Sequence, residues 1–511
     1  MVSGLRHGFH TGLIFLPTQS LECNNLKSAV QDAEFVTEAL RMEVDQGHVI
    51  GPFDTPPFEV YRVNPIGVAT GKYSGKKRLI VDLSAPHDDP LHDSLNGLID
   101  KEEFSLTYVK IDDAIKAIKS AGQGAWLNKA DIVQAFKLIP IQGSLWPYYG
   151  VKWQEKYYFY THLPFGSRSS PKLFDYLSQA VCWIAVHNYG IECILHLLDD
   201  FLTVEPPTAQ PERTMALLTL IFGSLKVPLS PSKTIGPASE LEYLGIIIDS
   251  IKMEARLPPD KLNRIRGLLE EFEVRRTCTK RELLSLLGHL QFASRIVLPG
   301  RSFVSYLIQL STTVSHLHHH ITLTKQCRLD IRMWKYFLET WNGVSMFVED
   351  TVTQADAIQL WTDASDVGFA GYYQGNWFQS PWQIDEMHLD RENDVLSMAF
   401  KELYPIVVSA LLWDSAWSGK RINFNCDNVS TVEIIRKGRS KSPAIMKLMR
   451  TLTYRAAMHS YVVTSEWLPS AANGISDSLS RFEQTKFWQL VGTQAAPHPC
   501  KCPPPCEVLM F

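Results

Sequence analysis

Several features that assign proteins to familiar classes are missing from this 511-residue sequence. No apolar run approaches the roughly 18 to 20 residues that cross a bilayer, and the first residues lack the charged start and apolar stretch of a secretory signal. The nine cysteines are scattered, and an odd count without regular spacing indicates reduced thiols rather than a disulfide framework. We therefore expect an intracellular protein, cytoplasmic or nuclear, with no membrane partner.

A strong charge of either sign is missing too, because the formal net charge is only -4. Nucleic-acid enzymes usually bind phosphate through Lys and Arg, so this balance argues against one at first sight. The charge is unevenly distributed, however, since residues 251–340 hold 15 Lys and Arg against 8 Asp and Glu. This segment is either a nucleic-acid track or a solvated helical surface, and charge alone does not separate the two.

The composition is that of a globular enzyme, with 45% hydrophobic, 20% charged and 11% aromatic residues, and the length requires several domains. Short β-type runs alternate with helical patterns before residue 250, helical periodicity follows, and strands return near residue 355. We see no internal repeat and predict an α+β multidomain fold. The predicted parts are an N-terminal segment at 1–50, an α+β domain at 51–250, a mainly helical unit at 251–350, an α/β domain at 355–485 and a disordered tail at 486–511.

The most informative segment is the run LHLLDDFLTV at residues 195–204, where Asp199 and Asp200 interrupt an apolar, β-prone sequence. Placing carboxylates among buried strands costs several kcal/mol unless a partner compensates, and a divalent cation is the natural partner for clustered acids. Taken alone, an Asp-containing hairpin turn is the commoner explanation.

A second β-type run also ends in a carboxylate, Asp131, which lies within the segment KADIVQAF at residues 129–136. Two such strands can converge on a pair of cations roughly 3.5 to 4 Å apart, which together catalyse in-line phosphoryl transfer. Three carboxylates suffice as the protein's share, because substrate phosphates supply the other ligands.

The order Asp131, then LPFGSRSSP at residues 163–171, then Asp199 and Asp200 resembles the polymerase motifs of reverse transcriptases. That resemblance implies a right-hand polymerase with fingers, palm and helical thumb, in which Asp131 and Asp199 bind both metals and Asp200 assists. It also implies addition of deoxynucleotides to a DNA primer on an RNA or DNA template. The implied cofactor is Mg²⁺, two ions per active site, with Mn²⁺ as the alternative.

The same resemblance assigns roles in nucleotide and primer binding. Phe136 resembles the aromatic residue that excludes a ribose 2′-hydroxyl, although it is equally compatible with a core position, and Lys233 resembles a contact to the leaving pyrophosphate but also an exposed turn lysine. The implied nucleotide- or template-binding residues are Lys72, Arg78, Asp82, Phe136, Phe165, Gly166, Pro171 and Lys233. The implied primer-gripping residues are Tyr243, Leu244 and Gly245.

Two positions depart from the family pattern: Leu197 stands where Tyr is usual, and Phe165 stands where retroviral enzymes have Gln. Both departures favour a retrotransposon over a vertebrate retrovirus. The runs GPFDTPP at 51–57 and LDDFL at 198–202 resemble DIRS-type elements, which carry a tyrosine recombinase. We find no protease, integrase or recombinase signature, so we expect integration to require other element-encoded proteins or a downstream region outside this sequence.

Four acids in the C-terminal third lie in separate contexts: LWTDAS at 360–365, KEL at 401–403, FNCDN at 424–428 and NGISDSLSR at 473–481. In this order they resemble the Asp-Glu-Asp-Asp metal site of RNase H, here Asp363, Glu402, Asp427 and Asp477. The resemblance implies cleavage of the RNA strand of RNA–DNA hybrids with two Mg²⁺ ions. Retroviral forms place a His shortly before the last Asp, where this chain has Ala471.

Two weaker clusters and two rival interpretations remain. The His residues at 316 and 318–320 are better explained as a solvated loop or phosphate-facing patch than as a metal site, and Cys500, Cys502 and Cys506 lack the second ligand pair of a zinc knuckle. The chain could be a domesticated or decayed element that binds nucleic acid without catalysis, although both carboxylate sets are complete. It could also be an unrelated two-domain nuclease, if the ordered polymerase motifs are accidental.

Overall fold

The structure is a computed structural model that describes residues 1–71, 75–87, 89–340, 344–346, 352–353, 360–387, 397–469 and 472–511. It separates into two compact units, Met1–Leu244 and Gly245–Phe511. Lys72 and Ala471 lie outside the described residues. Within the described ranges no helix has the length and apolar character that crossing a membrane requires. The finer division into fingers, palm, thumb and RNase H domains stays a prediction.

The first unit combines helices with three sheets. Its helices are Val2–His7, Lys27–Gln31, Ala33–Asp45, Ile111–Ala121, Ser170–Tyr189 and Pro211–Ser224. The five-stranded sheet has the order Leu21–Glu22, Arg62–Val63, Gly150–Trp153, Lys156–Tyr160 and Val49–Phe53, and Ile66–Thr70 pairs with Lys77–Val81. The four-stranded sheet has the order Ile235–Ala238, Trp126–Asp131, Asp200–Glu205 and Ile194–Leu197.

The four-stranded sheet is the rigid base of the first acidic cluster. Residues 201–204 of its central strand are all buried, and the Phe201 ring lies 5.2 Å from the ring of Phe222 on the helix Pro211–Ser224. Burying one such aromatic side chain contributes roughly 1.5 to 3 kcal/mol. The N-terminal segment adds Phe9, Val36 and Leu40 to the same core, so it is an integral part of this unit.

The second unit begins with two short strands, continues with helices and ends in a mixed α/β part. Its helices are Pro259–Val274, Lys280–Ala293, Ser305–Ser311, Lys325–Thr340, Met398–Trp413, Val429–Lys437, Pro443–Met458, Gly474–Ser480, Gln484–Val491 and Pro505–Val508. Antiparallel strands are Ile246–Asp249 with Glu254–Arg256 and Val344–Met346, Thr277–Thr279 with His320–Thr322, and Leu360–Ala364 with Gly368–Tyr373 and Asn376–Pro381. Parallel strands are Val352–Thr353, Arg421–Cys426 and Val462–Trp467.

Local sequence signals account for the first helices of this unit. Leu262, Ile265, Leu269 and Phe272 form the buried face of one helix, as their spacing predicts. The next helix starts at a reciprocal capping box, in which Thr279 and Glu282 each accept the other's backbone N–H.

The prediction of a disordered tail at 486–511 is wrong. Phe487 and Val491 pack with Trp377 in a buried cluster, and Val508 is completely buried in the core of the α/β part. The backbone N–H of Cys500 donates to the carbonyl of Trp377 at 2.7 Å. Residues 495–504 pack without helical or strand period, so their burial leaves no periodic signal in the sequence. Phe487 and Val491 lie four positions apart on the short helix Gln484–Val491, and two apolar residues at this spacing are too few to predict a helix.

A buried ion pair joins the helical and α/β parts of the second unit. Arg450 on the helix Pro443–Met458 pairs with Asp330 on the helix Lys325–Thr340, and both side chains are almost fully buried. Burial raises the pKa of Asp330 to about 7, although the Arg450 guanidinium opposes this. Such a pair fixes the packing of two helices because either charge alone would be unpaired.

Candidate active sites

The first acidic cluster is built on a hairpin in the four-stranded sheet. Leu197 lies opposite Asp200 in the antiparallel register, so Leu198 and Asp199 form the connecting turn. Leu198 has a φ of 54°, a left-handed conformation that is uncommon for a branched residue. The Ser178 hydroxyl donates a 2.8 Å hydrogen bond to the Leu198 carbonyl. The acids therefore do lie at a hairpin turn, as the commoner explanation of this segment predicts, and Asp199 is one of the two turn residues.

The neighbouring strand brings the third acid to the same end of the sheet. Asp131, the last residue of Trp126–Asp131, lies opposite Asp200 in the register. The N–H of Ile132 donates to the Asp199 carbonyl at 3.0 Å. The structure thus brings together the three acids that the sequence singled out.

Burial governs the electrostatics of these acids. It raises the pKa of Asp200 to about 6, with Lys129 opposing and the charges of Asp131 and Asp199 adding to the rise. Burial likewise raises the pKa of Asp199. Two ammonium groups compensate: Lys233 Nζ lies 3.0 Å from both carboxylate oxygens of Asp131, and Lys129 Nζ lies 3.4 Å from Asp200. Lys233 is therefore both exposed, at 61%, and ion-paired.

The site fits a hard divalent cation by its donor set. Oδ1 of Asp200 is buried and has no hydrogen-bond partner, which is costly for a carboxylate oxygen unless a cation binds it. Three carboxylates in one cluster are oxygen ligands of the kind that Mg²⁺ and Mn²⁺ prefer.

The loop at 163–171 lies beside the strand that carries Arg78. Gly166 has a φ of 117°, and a Cβ there would lie 2.1 Å from the Val81 carbonyl oxygen, so only glycine fits. Phe165 is 44% exposed, and its ring centroid lies 5.1 Å from that of half-buried Phe136. The ring of Phe136 also lies 5.9 Å from that of Phe174 in the core. Phe136 can therefore be both a core residue and the ring that excludes a ribose 2′-hydroxyl.

The other predicted nucleotide-binding residues are divided between this loop and the strand Lys77–Val81 with the turn that follows it. Pro171 stands in the first turn of the helix Ser170–Tyr189, and Arg78 is exposed on Lys77–Val81. The Asp82 carboxylate accepts the Ser84 N–H at 3.1 Å and lies 2.8 Å from the His87 ring. Asp82 therefore shapes the turn after the strand.

Asn96 is a residue that sequence reasoning missed. Its side-chain amide donates to the Gly166 carbonyl at 2.9 Å and to the Ser84 hydroxyl at 2.9 Å, and its oxygen accepts the Arg168 N–H at 2.8 Å. The residue is only 8% exposed. Asn96 thus fixes the backbone of the loop that contains Gly166, and a single Asn in a turn-rich stretch gives no sequence signal for this.

The predicted primer-gripping residues form a tight turn. Tyr243 is fully buried with its hydroxyl unpartnered, and burial raises its pKa, with the charge of Asp200 contributing. Leu244 and Gly245 have φ values of 48° and 81°. In the second unit, the Gly245 carbonyl accepts a 2.8 Å hydrogen bond from Lys261.

The second acidic cluster lies in the α/β part of the second unit. Asp363 is in the strand Leu360–Ala364, Glu402 is in the helix Met398–Trp413, and Asp427 directly follows Arg421–Cys426. Burial raises the pKa of Glu402 to about 9, with Asp363 and Asp427 adding to the rise. Burial also raises the pKa of Asp363 to about 7, with Asp477 and Asp427 adding. The four predicted acids are therefore close enough to interact.

Neutral donors and two cations hold the acids in place. Ser480 donates to Asp363 at 2.6 Å, and the Asn473 amide lies 3.3 Å from the same carboxylate. Asp477 accepts from Arg481 at 2.8 Å and lies 3.5 Å from Lys486.

Cys426 is a second residue that sequence reasoning missed. Its sulfur lies 4.0 Å from Glu402 Oε2, and in the described part of the chain Glu402, Cys426 and Asp427 are the group whose ligand atoms lie close enough to hold one ion. The histidines at 316, 318 and 319 contact one another through their rings but do not belong to such a group. The donor set of the second cluster is thus mainly oxygen with one thiol.

Comparisons with known proteins agree with this geometry. Residues 59–248 match the family described as Reverse transcriptase (RNA-dependent DNA polymerase). A Gag-Pro-Pol polyprotein of Human T-cell leukemia virus 3 (strain 2026ND) is 25% identical over 178 residues, which are 33% of this chain and 12% of that protein. The chain therefore spans only a small part of this relative.

Two solved structures share the fold. The foamy viral protease-reverse transcriptase dRH in complex with double-stranded DNA has a TM-score of 0.50 at 16% identity, covering 90% of this chain and 73% of that one. The foamy viral protease-reverse transcriptase in complex with RNA/DNA hybrid has a TM-score of 0.51 at 14% identity, covering 89% and 56%. The predicted α+β multidomain fold is confirmed, and residues 59–248 are similar to the reverse transcriptase family.

Proposed function

We propose that this chain is the reverse transcriptase and RNase H of a retrotransposon. It adds deoxynucleotides to a DNA primer on RNA or DNA templates, and it removes the RNA strand of the resulting hybrid. The observation that carries the polymerase assignment is the convergence of Asp131, Asp199 and Asp200 at one end of the sheet, with a buried carboxylate oxygen left unpartnered.

In the polymerase site the chain's own residues bind and orient. Asp131, Asp199 and Asp200 would hold two Mg²⁺ ions, or Mn²⁺, which when bound activate the primer hydroxyl and stabilise the leaving pyrophosphate. Arg78 and Lys72 contact the triphosphate, and Lys233 exchanges its contact with Asp131 for the leaving group. Phe136 and Phe165 form the surface against the sugar and base, and Tyr243, Leu244 and Gly245 hold the primer.

In the RNase H site Asp363, Glu402, Asp427 and Asp477 would hold two Mg²⁺ ions, which when bound supply a hydroxide nucleophile. The raised pKa values of Glu402 and Asp363 support this assignment, because acids forced together by the fold need cations to ionise. The basic segment 251–340 guides the hybrid towards the RNase H site.

The subfamily and partners belong to the same proposal. The foamy viral neighbours were solved with double-stranded DNA and with RNA/DNA hybrid, and we propose the same ligand classes here, together with RNA template, DNA primer and dNTPs. The motifs at 51–57 and 198–202 favour a DIRS-type element, whose other proteins would complete integration in the cytoplasm or nucleus.

Primer extension on an RNA template with Mg²⁺ and cleavage of a preformed hybrid test the two activities. Asp199→Asn should abolish extension and retain hybrid cleavage, whereas Glu402→Gln should do the reverse, so each variant controls for the folding of the other. A wild-type chain with neither reaction would indicate a nucleic-acid-binding remnant, and an Asp199→Asn variant that extends normally would refute the metal-ligand assignment.

Phe136→Ala tests the nucleotide selection. If the ring excludes the ribose 2′-hydroxyl, the variant should incorporate ribonucleotides at least about 10-fold more readily relative to deoxynucleotides, since a steric exclusion of this kind is worth more than one kcal/mol. Phe174→Leu, which changes a core neighbour, should leave the ratio unchanged. If wild type and Phe136→Ala showed the same ratio of ribonucleotide to deoxynucleotide incorporation, Phe136 would be a core residue without a role in nucleotide selection.

A further inference from the structure

Lys129 is a partly buried cation for which no role has been assigned. It lies on the strand Trp126–Asp131, two residues before Asp131, and its side chain is only 14% exposed. Its ammonium lies 3.4 Å from the Asp200 carboxylate and donates a 3.1 Å hydrogen bond to the backbone carbonyl of Glu242. Both partners are oxygen acceptors, so the ammonium keeps polar contacts within the protein.

The register explains how one side chain reaches both partners. Lys129 lies opposite Leu202 on the adjacent strand, so Asp200 is its diagonal neighbour on the same face of the sheet. On its other side Lys129 pairs with Ile235, at the start of the chain segment that leads to Glu240–Tyr243. The ammonium therefore bridges a candidate metal ligand and the residue directly before Tyr243.

We propose that Lys129 is a positioning residue that couples the primer-gripping strand to Asp200, and so aligns the primer 3′ end with the metal-binding carboxylates. This inference rests on the proposed polymerase function. The Lys129 ammonium contacts the Glu242 carbonyl and the Asp200 carboxylate. It therefore fixes the distance between two segments that are 42 positions apart in the chain. Catalysis is sensitive to this spacing because displacement of the reacting atoms by about 1 Å can cost roughly 100-fold in rate.

Lys129→Met removes the ammonium and keeps an unbranched apolar side chain of similar length. We expect kcat for extension of a matched primer to fall roughly 10- to 100-fold, while the Kd for primer-template changes less than about twofold. Lys129→Arg keeps both contacts and should restore most of the wild-type kcat.

Two controls separate this role from a folding defect. Cleavage of a preformed hybrid by the same full-length variant should equal that of wild type, because it depends on the second unit. Lys156→Met, which removes an exposed ion pair with Asp54, should extend at the wild-type rate. Lys129→Gln provides a second uncharged variant if Lys129→Met does not fold.

The outcomes are distinct. Wild-type kcat in both uncharged variants would overturn the inference, and so would a loss that appears only as weaker primer-template binding or lower thermal stability. A failure of Lys129→Arg to restore kcat would also overturn it. A wild-type chain that extends no primer at all would instead refute the proposed function, on which the inference rests.

Discussion

Replacing Glu402 with Gln should stabilise the metal-free protein, and it should do so in a pH-dependent way. Glu402 is 4% exposed and its pKa is raised by burial, and further by Asp363 and Asp427, to about 9 from an ordinary value of 4.5. The folded protein therefore retains a proton that the unfolded chain releases between these two pH values. The free energy of unfolding must fall as pH rises through that window.

The size of the effect follows from the proton difference. Between pH 5 and pH 7.5 the folded state holds nearly one more proton at Glu402 than the unfolded state, and each pH unit then costs about 1.4 kcal/mol, or roughly 3 kcal/mol in all. Asp363 titrates in the same cluster with a pKa of about 7, so the two contributions overlap rather than add. Gln preserves the shape of Glu402 and has no proton to release.

The assay compares thermal unfolding of the full-length wild type and Glu402→Gln in a chelating buffer. Hydrogen exchange of peptides from the helix Met398–Trp413 identifies the transition that contains the site. We expect the variant to melt roughly 5 to 10 °C above wild type at pH 7.5 and within a few degrees of it at pH 5. Mg²⁺ should raise the melting temperature of wild type more than that of the variant.

Glu386→Gln, at an exposed position of the same unit, is the matched control and should show no pH-dependent difference from wild type. If Glu402→Gln raised the melting temperature equally at pH 5 and pH 7.5, the stabilisation would not come from the ionisation of buried Glu402, and the prediction would be refuted. A variant that is less stable than wild type at pH 7.5 would refute it too, because that result would mean that the ionised carboxylate is stabilised by the metal-free fold.

Three further predictions concern contacts outside the acids. Asn96→Ala leaves the Gly166 carbonyl and the Arg168 N–H without their partner, so it should raise KM for dNTPs several-fold and lower the free energy of unfolding by roughly 1 to 3 kcal/mol, as steady-state kinetics and urea titration would show. Arg450→Met should destabilise the second unit by roughly 3 to 5 kcal/mol by leaving Asp330 unpaired, and adding Asp330→Asn should recover part of the loss; a double variant as unstable as the sum of both singles would contradict this. Thr279→Ala removes a helix cap and should cost roughly 1 kcal/mol in urea titration, whereas no change would show that the cap is replaced by solvent.

The acids could be found in the sequence because each interrupts a regular pattern. Asp131, Asp199 and Asp200 stand at the ends of apolar β-type runs, and the pairing of those runs brings their ends together. The capping box at Thr279 is a local signal, because it needs only two residues three positions apart.

The supporting residues could not be found in this way because their partners are remote in the chain. Lys129 and Glu242 are separated by 113 positions, and Asn96 and Gly166 by 70. An isolated Lys in a strand or an isolated Asn in a loop is ordinary on its own, and only the tertiary structure supplies the second partner. The packed tail at 486–511 shows the same limit, because its partners, such as Trp377, are more than 100 positions away in the chain.

The two acidic clusters balance their charge by different means, and this has a consequence for how each depends on metal. In the first cluster the ammonium groups of Lys129 and Lys233 already face Asp200 and Asp131, so the carboxylates can ionise before a cation arrives. In the second, Arg481 and Lys486 contact Asp477, whereas Asp363 is held by the neutral donors Ser480 and Asn473, and protonation relieves the repulsion of Asp363 from the other acids. Because a divalent cation must displace a proton in the second cluster but only an ammonium group in the first, metal binding to the second should be the more strongly dependent on pH.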